Sequence, residues 1–199
     1  RANPILETFG NAATVRNDNS SRFGKFIRIH FNSEGFIMGA SIDTYLLEKS
    51  RVVTQSDGER TFHAPYQLLK GAPQELKEEL LLGDLESYKY IASNRYDLDE
   101  IDDLTEWKET NEAFKVYGMS PEEIKDIWRV VASVLTFGQL EFVDHSSQQA
   151  TLSNDAEAQK AAQLFGVNSA ALTKALTKPK IKAGTETVQR AQTPPRVVA

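Results

Sequence analysis

Apolar positions change their period twice along this chain. From Phe26 to Phe31, Ile27, Ile29 and Phe31 alternate with Arg28 and His30, which predicts a strand. Asn32-Ser33-Glu34-Gly35 reads as a turn, since Asn favours turn starts and Gly tolerates positive φ. Phe36 to Leu47 is the expected antiparallel partner. Ser50 to Val53 reads as a third extended run, followed by a turn at Gln55-Ser56-Asp57-Gly58. The pattern then becomes helical. Thr61 to Leu69 and Pro73 to Leu82 read as short helices broken at Lys70-Gly71-Ala72. A proline inside the first, Pro65, is expected to kink it.

The clearest helix runs from Pro121 to Phe137. Ser120 is its N-cap, Glu123 completes a capping box, and Pro121 suits the first helical position. Ile124, Ile127, Trp128, Val131 and Leu135 form one apolar stripe at helical spacing, a core face with Gly138 as the stop. Val143 to Asn154 is polar and aperiodic, so it reads as a surface loop. Two short helices follow, Asp155 to Phe165 stopping at Gly166, and Ser169 to Leu176 ending before Pro179. Strands first and helices after make the fold class α+β.

Charge adds an asymmetry to this picture. The net charge is −5, which does not indicate attraction to nucleic acid or an anionic membrane. Arg95 to Asp126 carries eleven acidic residues against four basic ones. Ala171 to Ala199 carries six basic residues against Glu186 alone. Cysteine is absent, which excludes disulfides, thiolate metal sites and a cysteine nucleophile. No apolar run reaches the ~18 residues of a membrane span. The opening Arg1-Ala2-Asn3-Pro4 has no initiator Met, and an internal piece of a longer protein is expected.

Few residues carry obvious chemistry. His30, His63 and His145 are scattered and make no metal-ligand spacing. There is no Gly-x-Ser-x-Gly elbow. The pair Asp102-Asp103 lies in the acidic stretch, where a solvated role is expected. The informative segment is Asn17-Asp18-Asn19-Ser20-Ser21-Arg22-Phe23-Gly24-Lys25, a run of small polar residues directly before the best strand. Such a loop offers amide and hydroxyl groups around a phosphate. A serine hydroxyl suits Mg²⁺, and an arginine suits a bidentate anion. On composition alone the same run reads first as a loop with Asn and Ser as ordinary turn formers.

That segment, with Phe26 behind it, resembles switch I of the myosin motor domain, whose pattern is NxNSSRFGKF. Asn3-Pro4-Ile5-Leu6-Glu7-Thr8-Phe9-Gly10-Asn11-Ala12 is similar to the myosin segment that precedes switch I. Tyr45 to Arg51, Glu59 to His63 and Tyr66 to Leu69 match the text that follows it. Thr177 to Gly184 resembles the cardiomyopathy loop of class II myosins. Kinesins share Ser-Ser-Arg but continue with Ser-His, whereas this chain continues Phe23-Gly24-Lys25.

The resemblance implies a piece of an actin-based motor ATPase, cytoplasmic and part of the actin cytoskeleton, with ATP and Mg²⁺ as nucleotide and cofactor. Asn17 would contact nucleotide phosphate together with Ser20, Ser21, Gly24 and Lys25. Ser20 and Arg22 would be catalytic, Ser20 lying at the γ-phosphate and Arg22 pairing with a switch II glutamate to close the pocket. Ser21 would ligate Mg²⁺, and Lys178, Lys180 and Lys182 would contact actin. The resemblance divides the chain into a helix end with switch I (1–25), strands of the central sheet (26–56), a helical upper-cleft part (59–176) and the actin-contact loop with its edge (177–199).

Departures from the family pattern are Ala13 for a lysine, Ala64-Pro65 for Ile-Phe, and Lys180 for an arginine, which loses bidentate geometry. The chain has no Gly-x-x-x-x-Gly-Lys-Ser/Thr loop and no switch II Asp-x-x-Gly-Phe-Glu. Its partners would be actin and the remainder of the motor, with light chains and a coiled-coil dimer partner reached only through other parts. The piece alone is expected to be inactive. The alternative is a motor-derived actin-binding scaffold that does not turn over nucleotide.

Overall fold

The computed structural model describes residues 2–91, 95–146, 149–183, 186–189, 192–194 and 197. It is α+β, with seven α-helices and four two-stranded antiparallel sheets among the described residues. The chain divides into two compact units, one formed by residues 1–72 and 90–124, the other by 73–89 and 125–199.

The first unit begins with α1 (Asn3–Gly10), whose Pro4 sits in the first turn, where no intrahelical N–H bond is lost. A short bridge joins β1 (Asn11–Ala12) to β2 (Ser20–Ser21), with Asn11 opposite Ser21 and Ala12 opposite Ser20. Next come β3 (Gly24–Phe31) and β4 (Ile37–Tyr45), paired with Ile27 opposite Ile42 and Ile29 opposite Ala40. The Asn32 side chain closes their turn by accepting from the backbone N–H of Glu34 and Phe36, and Gly35 takes a φ of 84°. This is the hairpin that the alternation predicts.

The third extended run does not form. Lys49–Val52 is a 3-10 turn, because the Arg51 side chain folds inward onto Glu48, Glu59 and the Arg60 carbonyl. The helix after it, α2 (His63–Gly71), starts two residues later than predicted. Pro65 therefore falls in the first turn and causes no kink, since its missing N–H is one that an α-helix leaves unpaired.

An unforeseen helix, α4 (Asp103–Val116), packs on α1 and α2. Its charge-rich face hides the periodicity, but its cap is legible: the Asp102 carboxylate accepts from the N–H of Leu104 and Thr105. Trp107 reaches Gly71, where a Cβ would lie 2.3 Å from the Trp107 Cβ, so only glycine allows this approach. Buried Phe62, Tyr66, Leu68, Trp107 and Phe114 make the apolar core of this unit.

The second unit opens with α3 (Gln74–Glu79). Helix α5 (Pro121–Phe137) starts in the first unit and belongs to the second from residue 125 onward, and it has the expected bounds. The capping box forms, with the Ser120 N–H on Glu123 at 2.8 Å and the Glu123 N–H on the Ser120 hydroxyl at 3.3 Å. Ile124, Trp128 and Leu135 of the stripe are buried. The region from Val143 to Asn154 is not a loop but a hairpin, β5 (Phe142–Ser146) with β6 (Gln149–Leu152), held by backbone pairing rather than by an apolar face. Helices α6 (Asp155–Phe165) and α7 (Ser169–Thr177) follow as expected. Gly166 caps the first in the left-handed conformation. The predicted loop beyond Thr177 is also a hairpin, β7 (Lys180–Ala183) with β8 (Glu186–Gln189); Gly184, Arg190 and Arg196 lie outside the described residues. No helix among the described residues is long and apolar enough to cross a membrane.

Candidate functional site

The polar run 17–25 is built into the first unit at both ends. Thr14 donates its backbone N–H and its hydroxyl to the Asn17 carbonyl at 2.9 and 3.1 Å. The Asn17 side chain accepts from the Asn19 N–H at 2.7 Å, an Asx turn that curls the loop. Ser20 and Ser21 then run along β1, so their backbone is held by pairing. The Arg22 N–H donates to the Gly10 carbonyl at 2.8 Å. Gly10 matters here because the Phe23 ring lies against it, at 2.4 Å from where a Cβ would be. Gly24 plays the same part for the Tyr45 ring, also at 2.4 Å.

Beneath the loop lies a polar cluster that the sequence did not announce. The Asn19 side-chain oxygen Oδ1 accepts from the Asn11 side-chain amide at 2.8 Å and lies 3.2 Å from His63 Nε2, while Asn19 Nδ2 donates to Glu7 at 2.9 Å. His63 is buried, and burial pushes it from the ordinary 6.5 to about 4, so it is neutral near pH 7. Neutral His63 donates from Nε2 to Asn19.

Two ion-pair systems flank the cluster. Asp18 is paired with Arg95, whose guanidinium also donates to the Thr14 carbonyl at 2.8 Å. The Arg95 carbonyl in turn accepts from buried Arg60 at 2.7 Å. Arg60 forks onto Asp103 at 3.1 and 3.2 Å and stacks on the Tyr66 ring at 4.0 Å from its centroid. Asp103 also pairs with Lys70 at 3.0 Å. The expectation of solvation is thus wrong for Asp103, which is 2% exposed: burial is tolerated because two cations meet its carboxylate. Its neighbour Asp102 is a helix cap.

The second system includes Arg22. Its Nε donates to Glu48 at 2.6 Å and its Nη1 to the Ser20 hydroxyl at 3.2 Å. Glu48 accepts from Arg51 as well, at 2.7 Å, and Arg51 reaches Glu59 at 2.9 Å. Arg51's hydrogen bond, with that of Arg22 behind it, holds the Glu48 carboxyl below the usual range.

Of the residues singled out from the sequence, Ser20 and Arg22 are in direct contact. Asn17 and Ser21 are exposed on the same loop. Lys25 follows Gly24 onto β3, opposite Thr44, with an exposed side chain. Lys178, at the end of α7, and Lys180 and Lys182, on β7, are all exposed in the second unit; strand alternation puts the last two on one face. Among the described residues no group of His, Asp or Glu could hold a metal ion. A cation here would depend on hydroxyl oxygens such as that of Ser21, with further ligands from elsewhere.

The family described as Myosin head (motor domain) matches residues 1–198, and the chain belongs to that family. It is 48% identical over 198 residues to "Myosin heavy chain, non-muscle" of Drosophila melanogaster, which covers 99% of this chain and 10% of that protein. The chain thus spans about a tenth of the length of this relative.

Proposed function

We propose that this chain supplies switch I and an actin-contact surface to an actin-based motor that hydrolyses ATP in the cytoplasm, at the actin cytoskeleton. The observation that carries this reading is the Ser20–Ser21 pair, fixed by backbone pairing to β1 with Arg22 beside it. Phosphoryl transfer needs little covalent help from a protein and depends on positioning and charge. A loop whose backbone is fixed provides positioning. Asn17 and Ser20 would face phosphate, with Gly24 and Lys25 at the edge of the same site, and the Ser21 hydroxyl would be one oxygen ligand of Mg²⁺. Bound Mg²⁺ neutralises charge on the phosphates. Arg22 supplies the cation that closes the site against a carboxylate from another part of the motor.

The apolar face of β3 and β4 fits burial by that remainder. In the second unit, Lys178, Lys180 and Lys182 present point charges to an acidic partner such as the actin filament.

Arg22→Ala in the full motor tests the reading. Nucleotide binding should remain and hydrolysis should fall by roughly 10²–10³, the cost of halving a desolvated charge pair. Hydrolysis at the parent rate would refute the switch I assignment. The chain alone should show no turnover in a phosphate-release assay. For the lysines, a triple Lys→Ala motor should cosediment with actin more weakly and with a shallower salt dependence, while its turnover without actin is unchanged.

A further inference from the structure

Ser20 does not owe its orientation to the loop alone. Its hydroxyl oxygen accepts from Arg22 Nη1, which leaves its own hydrogen to donate to an acceptor outside the loop. Arg22 makes that contact while its Nε is occupied by Glu48 at 2.6 Å. Glu48 is placed with care. The chain leaves β4 at Tyr45 and passes through Leu46, which holds a φ of 55°, a conformation that branched side chains seldom take. That bend returns Glu48 to the side of Arg22, where the Glu48 N–H donates to the Arg22 carbonyl at 2.9 Å. Backbone and carboxylate thus hold the same residue.

Glu48 is itself held from behind. Arg51 donates to both of its oxygens, at 2.7 and 3.3 Å, and is 4% exposed. Arg51 keeps Glu59 and the Arg60 carbonyl as further partners at 2.9 and 3.1 Å. The charges alternate along the row from Arg22 through Glu48 and Arg51 to Glu59. Each inner member has a partner on either side, so loss of the Arg22 contact would leave neither Glu48 nor Arg51 unpaired.

We infer that Glu48 is a positioning residue for phosphate chemistry at this loop: by holding Arg22 Nε it aims the Ser20 hydroxyl through Arg22 Nη1, and Arg51 holds the Glu48 carboxylate in place from behind. The inference rests on reading the loop as switch I. Glu48 touches no phosphate in this scheme and contributes no binding contact of its own. Its removal should therefore lower kcat more than it raises KM.

The test is steady-state ATP hydrolysis by the full motor and its variants, with Mg²⁺ present. Glu48→Gln keeps the shape but removes the charge that orders two guanidinium groups. It should lower kcat by about 10- to 100-fold, the scale of a small misplacement of reacting groups, and change KM by less than about threefold. Glu48→Asp, a methylene shorter, should recover part of the loss. Glu59→Gln loosens the far end of the row without touching Glu48 or Arg22, and should stay within about twofold of the parent.

A Glu48→Gln motor within twofold of the parent kcat overturns the inference, as does a loss confined to KM. An equal loss in Glu59→Gln overturns it too, since the row would then be scaffolding. If Glu48→Gln does not fold, Glu48→Asp decides: parent turnover overturns the inference, and a kcat loss with near-parent KM supports it. Ser20→Ala and Ser21→Ala separate this inference from the reading beneath it. If both hydrolyse ATP normally, the switch I reading fails; if they lose hydrolysis while Glu48→Gln does not, only the role of Glu48 fails.

Discussion

The loop from Asn11 to Arg22 and the hairpin of β3 and β4 are adjacent in sequence and opposite in construction. The loop has little regular structure, yet its own Asn11 and Thr14 are buried, as are His63, Arg51 and Arg60 beneath and beside it. The hairpin has eight and nine residues of regular strand, yet Ile29 is 51% and Phe31 60% exposed. Order in the loop comes from hydrogen bonds and ion pairs aimed at single atoms. Order in the hairpin comes from a backbone ladder that leaves its apolar side chains uncovered. Regular secondary structure is therefore a poor guide to where this chain is most constrained. Irregular backbone stays rigid when its polar groups are individually satisfied, and an unsatisfied one would be costly.

The largest blow to this contrast should come from Asp103. Asp103→Ala leaves Arg60 buried without its carboxylate, and should cost about 3–5 kcal/mol in urea unfolding of the chain. A well-packed apolar replacement of both Arg60 and Asp103 should recover much of that loss. If the single substitution costs under 1 kcal/mol, buried charge does not anchor the loop region.

His63 gives the next largest effect, and it depends on pH. Its folded value of about 4 lies below the ordinary 6.5, so between these limits the unfolded chain takes up a proton that the folded chain refuses. Stability is thus fully present above about 6.5 and is lost as pH falls toward 4. At ~1.4 kcal/mol per pH unit this amounts to about 3 kcal/mol. His63→Gln should remove that part of the slope when unfolding curves are compared from pH 7 to pH 4.

Gly10→Ala should cost about 1–3 kcal/mol, because the new methyl meets the Phe23 ring. Its thermal unfolding midpoint should drop while Gly39→Ala, with open space around it, changes much less. Smallest of all, Arg28→Ala removes an exposed strand pair with Asp43 and should cost about 0–1 kcal/mol. A large loss there would show the hairpin to be held by its charges, and would undo the comparison.

Local signals read well where short-range chemistry is enough. The Ser120 and Glu123 capping box, the Gly166 stop and the alternation of Ile27, Ile29 and Phe31 each need only near neighbours, and each appears where expected. The Ser20 and Arg22 contact also lies within two residues. Asp103, Glu48 and His63 were not legible in the same way. Their partners stand 43, 26 and 44 residues away, and an isolated Asp, Glu or His looks like any solvated side chain.

The sequence by itself determined the family through its collinear motifs, the α+β class, and the loop that carries the candidate chemistry. It also set the bounds of α5 and α6 and the start of α7, because caps and periodicity act over one or two turns. Only the tertiary structure decided that Ser50 to Val53 turns instead of extending, that Val143 to Asn154 pairs into a hairpin, and that Arg60 and Asp103 are buried together. The last depends on a partner 43 residues away coming within reach, and the first two on side-chain and backbone pairing that an aperiodic polar stretch does not announce, since a charge or backbone group leaves water only when a partner is already in place.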